Sequence, residues 1–209
     1  MIKQMVRTYS IILLCGLLAT GCTPIGAAVG AGATVGIAAA QEGGLKQAAT
    51  DAAIRMQIHD AWFKHNVDMY RYLDMTVKEG RVLVTGTVDN PDMRVDAIRL
   101  AWQAQGVRQV INEVNVDKKT GGVMGFMRDS FVTTKLKTKL TFDKDVQAIN
   151  FTADTVNGTV YLMGVAQDVA ERERVIDHAR NMSYVQSVIS YIRLRGENPP
   201  GVQRPTEKK

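Results

Sequence analysis

The sequence predicts an α+β protein of two tandem αββαβ modules, each a three-stranded mixed sheet packed by two helices. Three observations carry this expectation. Gly80-Arg81-Val82-Leu83-Val84-Thr85-Gly86 aligns with Gly158-Thr159-Val160-Tyr161-Leu162-Met163-Gly164 at an offset of 78 residues, and self-similarity at one fixed spacing marks a repeated structural unit. The same offset pairs Asp51 with Asp129, Ile54 with Val132, Ile58 with Leu136, Ala101 with Ala179, Val110 with Val188 and Val114 with Ile192. Within each copy the apolar spacing fits helix, strand, strand, helix and strand in turn. The modules are expected at 51–117 and 129–195, with a linker at 118–128.

Each element has its own signal. Ile54, Ile58 and Trp62, or Val132, Leu136 and Leu140, recur every four residues and line one face of a helix. A strand follows at 73–77 or 151–155, and Glu79-Gly80 or Asn157-Gly158 supplies the hairpin turn; Asn-Gly is the strongest short-range hairpin signal. The second strand covers 82–88 or 160–166, the second helix 92–105 or 169–182, and the last strand 107–116 or 185–194.

The 209 residues are 45% apolar and 22% charged, which excludes wholesale disorder, a collagen-like repeat and a disulfide mini-scaffold. A net charge of +5 permits an anionic partner without requiring one. The basic residues are spread along the chain and do not interleave with aromatics, so nucleic-acid binding is not expected.

No converging catalytic set stands out. His59 and His65 are six apart and do not share a helical face, and His178 has no counterpart in the first module, so all three read as surface or edge residues. Asp143 and Asp145 fall in a loop, where solvated turn residues are the rule. Glu171 and Glu173 alternate with Arg172 and Arg174 as on an ion-paired solvent face. There is no nucleophile elbow, P-loop or zinc motif, and neither module is large enough to enclose a sizeable cavity. The sequence therefore points away from an enzyme, and no metal or other cofactor is expected.

Residues 1–21 carry Lys3 and Arg7 without an acid, then an apolar run at 11–18 and small residues before Cys22. That is the layout of a secretory signal, and the run is too short to span a bilayer. Leu18-Ala19-Thr20-Gly21-Cys22 resembles a bacterial lipobox, which implies removal of Cys15 with the leader and a lipid-modified Cys22. Thr23 rather than Asp after that cysteine implies sorting to the outer membrane, on its periplasmic face. Residues 22–50 are rich in Gly, Ala and Val and read as a flexible tether, since Gly30, Gly32 and Gly36 do not fit a dinucleotide fingerprint. The Pro-rich polar tail at 196–209 reads as disordered.

The two copies differ where surface matters. Residues 51–117 carry eight basic and ten acidic residues, whereas 128–195 carry ten basic and eight acidic. On a helical wheel with Phe131 at zero, Lys135 falls near about 40°, Arg128 near about 60° and Lys139 near about 80°, while Val132, Leu136 and Leu140 occupy about 100–180°. The same positions in the first module are Ala53, Gln57, Thr50 and Ala61. An aromatic ringed by cations is what an interfacial membrane helix needs, so Arg128, Phe131, Lys135 and Lys139 are the candidate site for anionic phospholipid. The apolar linker at 123–127 extends the same surface. Two other roles stay open for Phe131: packing between the modules and docking a protein.

The αββαβ order, with Gly86 and Gly164 in the strand after each hairpin, resembles the BON domain family over nearly all of 51–195. Together with the lipobox and tether, the resemblance implies a two-module envelope lipoprotein. It further implies that the first helix of the second module binds anionic phospholipid, with Phe131 where the family's lipoproteins carry Trp, and that the protein supports outer-membrane integrity. The rival expectation is an adaptor for envelope assembly or peptidoglycan-associated proteins, held by exposed strand edges or helix faces.

Overall fold

Two helices and a three-stranded sheet recur twice because each copy has one apolar helical stripe and one apolar sheet face to bury against each other. In the computed structural model, which describes residues 43–117, 123–198 and 201, module 1 runs α1 (Gly44–His65), α2 (Val67–Tyr72), β1 (Leu73–Lys78), β2 (Arg81–Val88), α3 (Pro91–Gln103) and β3 (Gln109–Val116). Module 2 runs α4 (Val123–Phe142), a 3-10 turn (Ala148–Asn150), β4 (Phe151–Val156), β5 (Thr159–Ala166), α5 (Val169–Arg180) and β6 (Ser187–Leu194). The expected leader, Cys22, the tether as far as residue 42, Lys118, Lys119 and most of the tail lie outside the described residues.

Each sheet is mixed, as expected: β2 pairs antiparallel with β1 and parallel with β3, and β5 does the same with β4 and β6. Ile54, Ile58 and Trp62 are fully buried, as are Val132 and Leu136. The Trp62 Nε1–H donates to the Ala97 carbonyl at 3.1 Å, which fixes α1 across α3. One carboxylate per module clamps the hairpin. Asp51 accepts from the amides of Glu79 and Gly80, both at 2.9 Å, and Asp129 accepts from Asn157 at 2.7 Å and Gly158 at 3.0 Å. All four turn residues have positive φ, the backbone that favours Asn and Gly in a two-residue hairpin. At Gly86 a Cβ would lie 2.2 Å from the Tyr72 carbonyl oxygen, so no other residue lets β1 approach β2 there.

The second helices end two residues early and the last strands begin two residues late, and three larger departures from expectation concern the helices that open each module. Helix α1 begins at Gly44, so residues 44–50 are helix rather than tether; Lys46, Gln47, Ala48 and Ala49 are good helix formers, and Gln47 Nε2 donates to Asp51 Oδ1 at 3.0 Å. Helix α4 begins at Val123, so residues 123–128 are helix rather than linker, because extending an existing helix adds a hydrogen bond for each residue fixed. Helix α2 was not expected. Asn66 leaves α1 in an extended conformation and its side chain accepts from the Asp68 amide at 2.7 Å, ending one helix and capping the next.

The modules are not beads on a string. The sheet face of each module that its helices leave uncovered packs on that of the other, and Leu83, Tyr161 and Met163 form a separate buried cluster there with Ile111, Val156, Ile189 and Tyr191 against it. Polar bonds cross the same interface. Thr85 donates to Asp154, the Tyr191 hydroxyl donates to Glu113, Arg193 pairs with Glu79, and Arg81 Nη1 donates to the Tyr191 carbonyl at 3.1 Å. Layers of helix, sheet, sheet and helix result, and both central strands are buried on both faces.

Candidate functional site

Helix α4 divides its circumference cleanly. Its core stripe of Val132, Leu136 and Leu140 is at most 3% exposed, while Phe131 on the opposite side is 50% exposed. Phe131 therefore does not pack between the modules. The Lys135 ammonium lies 5.5 Å from the centre of the Phe131 ring, a geometry in which the ring face attracts the cation. One turn earlier, the Arg128 guanidinium lies 5.8 Å from the Tyr184 ring centre. Tyr184 stands in the turn between α5 and β6 with φ of 71°, and its ring is exposed. Lys139 is exposed on the same face. The four residues expected from the wheel are thus together on one solvent-facing surface.

The surface is larger than the wheel suggested. Met124, Met127 and Phe142 are all exposed, Phe142 by 82%, and at about 20°, −40° and 20° they fall on the Phe131 side. Met124 and Met127 belong to the stretch expected to extend this surface, whereas Phe126 of the same stretch falls near about 220°, on another side of the helix; Phe142 was missed, and its spacing from Phe131 could have revealed it. Tyr184 could not have been found this way, because it reaches α4 from far along the chain. At the end of α4 a shallow groove is lined by Lys135, Lys139, Phe142, Lys144 and His178, with the carboxylates of Asp143 and Asp145 beside them.

Two acidic expectations are corrected. Asp143 is not a freely solvated turn residue: it hydrogen-bonds His178 at 2.5 Å and faces Arg174 at 3.7 Å, tying α5 to the end of α4. The His178 hydrogen bond, with help from the Asp145 amide, holds the Asp143 carboxyl below the usual range. Glu171 is not on a solvent face: it is 5% exposed and accepts from the amides of Gln147 and Gln167, both at 2.6 Å. It closes the loop ahead of β4, whereas Glu173 pairs with Arg172 on the surface as expected. Of the histidines, His65 is exposed beside Asp96 at 3.1 Å, and His59 is half-buried, edge-on to Trp62 and Tyr70. Among the described residues no three of His, Cys, Asp and Glu are grouped to hold a metal, and no helix is long and apolar enough to cross a membrane.

Comparison with known proteins agrees with the repeat. The family model of the BON domain matches residues 50–118 and 128–196. The chain is 39% identical over 145 residues to the "Uncharacterized protein in gshII 5'region" of Anaplasma centrale, covering 69% of this chain and 95% of that protein. It is 30% identical over 141 residues to Osmotically-inducible protein Y of Escherichia coli, covering 66% of this chain and 69% of that one. With the outer membrane lipoprotein DolP of Haemophilus influenzae it shares 37% identity over 111 residues, 53% of this chain and 56% of that one.

Proposed function

The chain belongs to the BON domain family, and on that premise we propose that it is a non-enzymatic, lipid-anchored protein of the bacterial envelope whose second module binds anionic phospholipid. By doing so it supports outer-membrane integrity from the periplasmic face. The observation that carries this reading is the exposed Phe131–Lys135 pair on α4, flanked by Arg128 over Tyr184. The fold itself requires none of it, since the matching positions of α1 are Ala53, Gln57, Thr50 and Ala61.

The physical chemistry is that of an interfacial helix. The aromatic ring and the methionines enter the boundary between headgroups and acyl chains, while the cations meet lipid phosphates and lay their stems along the apolar surface. Each cation near an anionic surface contributes about 1 kcal/mol, and a buried Phe about 1.5–3 kcal/mol. That is weak binding for a free protein. It becomes useful beside a lipid on Cys22, because stable attachment takes two signals. The similarity to an outer membrane lipoprotein supports the same location.

The test is sedimentation of the 41–209 fragment with anionic vesicles, comparing Phe131→Glu with the parent. Binding should weaken at least about tenfold with an unchanged melting temperature. Unchanged vesicle binding would sink the reading: with a loss of stability it would give Phe131 a packing role, and with stability unchanged it would favour a protein-adaptor role.

A further inference from the structure

We infer that module 1 contributes a second contact to the same lipid surface, through the aromatic corner made by the end of α1 and by α2. The inference rests on the lipid-binding reading of α4 and extends it from one module to two.

The corner is an addition to the fold rather than part of it. Phe63, Val67, Tyr70 and Tyr72 are each about half exposed, at 57, 48, 48 and 46%. At the repeat offset their counterparts are Thr141, Asp145, Ala148 and Asn150, and module 2 has a 3-10 turn in place of the end of α2. An equal fold is therefore built without these rings. They are also ordered against one another, with Phe63 and Tyr70 edge-on at 5.8 Å. The Arg71 guanidinium lies 5.6 Å from the Tyr72 ring centre, which repeats on module 1 the pairing of cation and ring found on α4.

The corner borders the start of α4, on the flank away from Phe131. Phe126, on the second turn of α4, is 72% exposed and lines a cleft of about 650 Å³ together with His59, Tyr70 and Tyr72 of module 1. On the wheel Phe126 sits near about 220°, away from Phe131. With Met124 and Met127 also exposed, the start of α4 presents apolar side chains on more than one side. A helix end of that kind, bordered by Tyr70 and Tyr72 and followed by Arg128, fits the headgroup boundary of a bilayer, where aromatic side chains with one polar end accumulate. Module 1 itself carries more acidic than basic residues, and Asp68 stands 3.7 Å from Arg71. The corner therefore adds apolar contact, while α4 supplies the attraction to anionic headgroups.

Site-directed spin labelling tests this on the full chain, with Cys15→Ser and Cys22→Ser removing the native thiols. Single labels are placed by Tyr70→Cys, Phe126→Cys, Phe131→Cys and, as a reference on exposed Val95 of α3, Val95→Cys; Val67→Cys serves as a second probe of the corner should Tyr70→Cys fail to fold. The protein is added to mixed phosphatidylglycerol and phosphatidylcholine vesicles, and collisions with oxygen and with a water-soluble nickel chelate are measured. The expected result is a gain of oxygen contact and a loss of nickel contact at 70, 126 and 131, with no change at 95. Loss of nickel contact at 131 alone overturns the inference and leaves the α4 reading standing. No change at any position overturns both. Protection of 70 and 126 from both reagents means that protein, such as a second copy, covers the corner, and this too overturns the inference.

Discussion

A methyl group added at Gly164 would sit 2.3 Å from the Asn150 carbonyl oxygen and 3.0 Å from the Phe151 Cα. Both are backbone atoms, so no side chain can move aside to accommodate it. Gly164→Ala should cost roughly 2–4 kcal/mol, read from the urea midpoint, and Gly86→Ala should behave alike because Tyr72 and Leu73 crowd it in the same way. Asp154 gives the residue-scale pH dependence. Burial raises its carboxyl above the ordinary range, Asp74 pushes the same way, and the Thr85 hydroxyl only partly opposes them. A raised value in the folded state means that the fold favours the neutral acid. Its contribution is complete below the unfolded value of about 3.9 and is lost as pH rises through the folded one. Asp154→Asn should therefore melt higher than the parent near neutral pH, and the gap should close as the pH is lowered toward about 4.

Helix α4 is the element in which structure and function separate. Leu136→Ala on its buried stripe should cost about 2–5 kcal/mol, whereas Phe131→Ala, which loses a half-exposed ring and one cation contact, should cost under about 1 kcal/mol. Chemical denaturation of the two variants reads the difference directly. The division was legible in the sequence, because 100° per residue separates Phe131, Lys135 and Arg128 from Val132, Leu136 and Leu140 whatever the tertiary context. The start of α4 was not, since the chain just before it reads as a linker and only the existing helix draws it into register. Helix α2 was hidden for a related reason: Asn66 breaks the α1 pattern and caps a new helix within one residue. Tyr184 and the pairing of Asp143 with His178 depend on contacts between distant segments, which no local periodicity encodes.

Over the whole molecule, the two modules pack sheet against sheet and leave their helices outside. The sequence held a signal for this arrangement in the runs Val82-Leu83-Val84 and Val160-Tyr161-Leu162-Met163, since strands apolar on both faces are strands buried on both faces. The interface has a functional consequence. With Leu83, Tyr161 and Met163 buried between the sheets, one flank of α4 borders module 1 across a cleft lined by Phe126, Ser130 and Thr133, while its aromatic and cationic side stays exposed and free for another surface. The most direct test of that surface is sedimentation of the unmodified 41–209 fragment with phosphatidylglycerol and with phosphatidylcholine vesicles at low and moderate salt. Binding to the anionic vesicles that weakens as screening shortens the reach of the α4 cations is the predicted result. Equal binding to both vesicle types, or none to either, would contradict it.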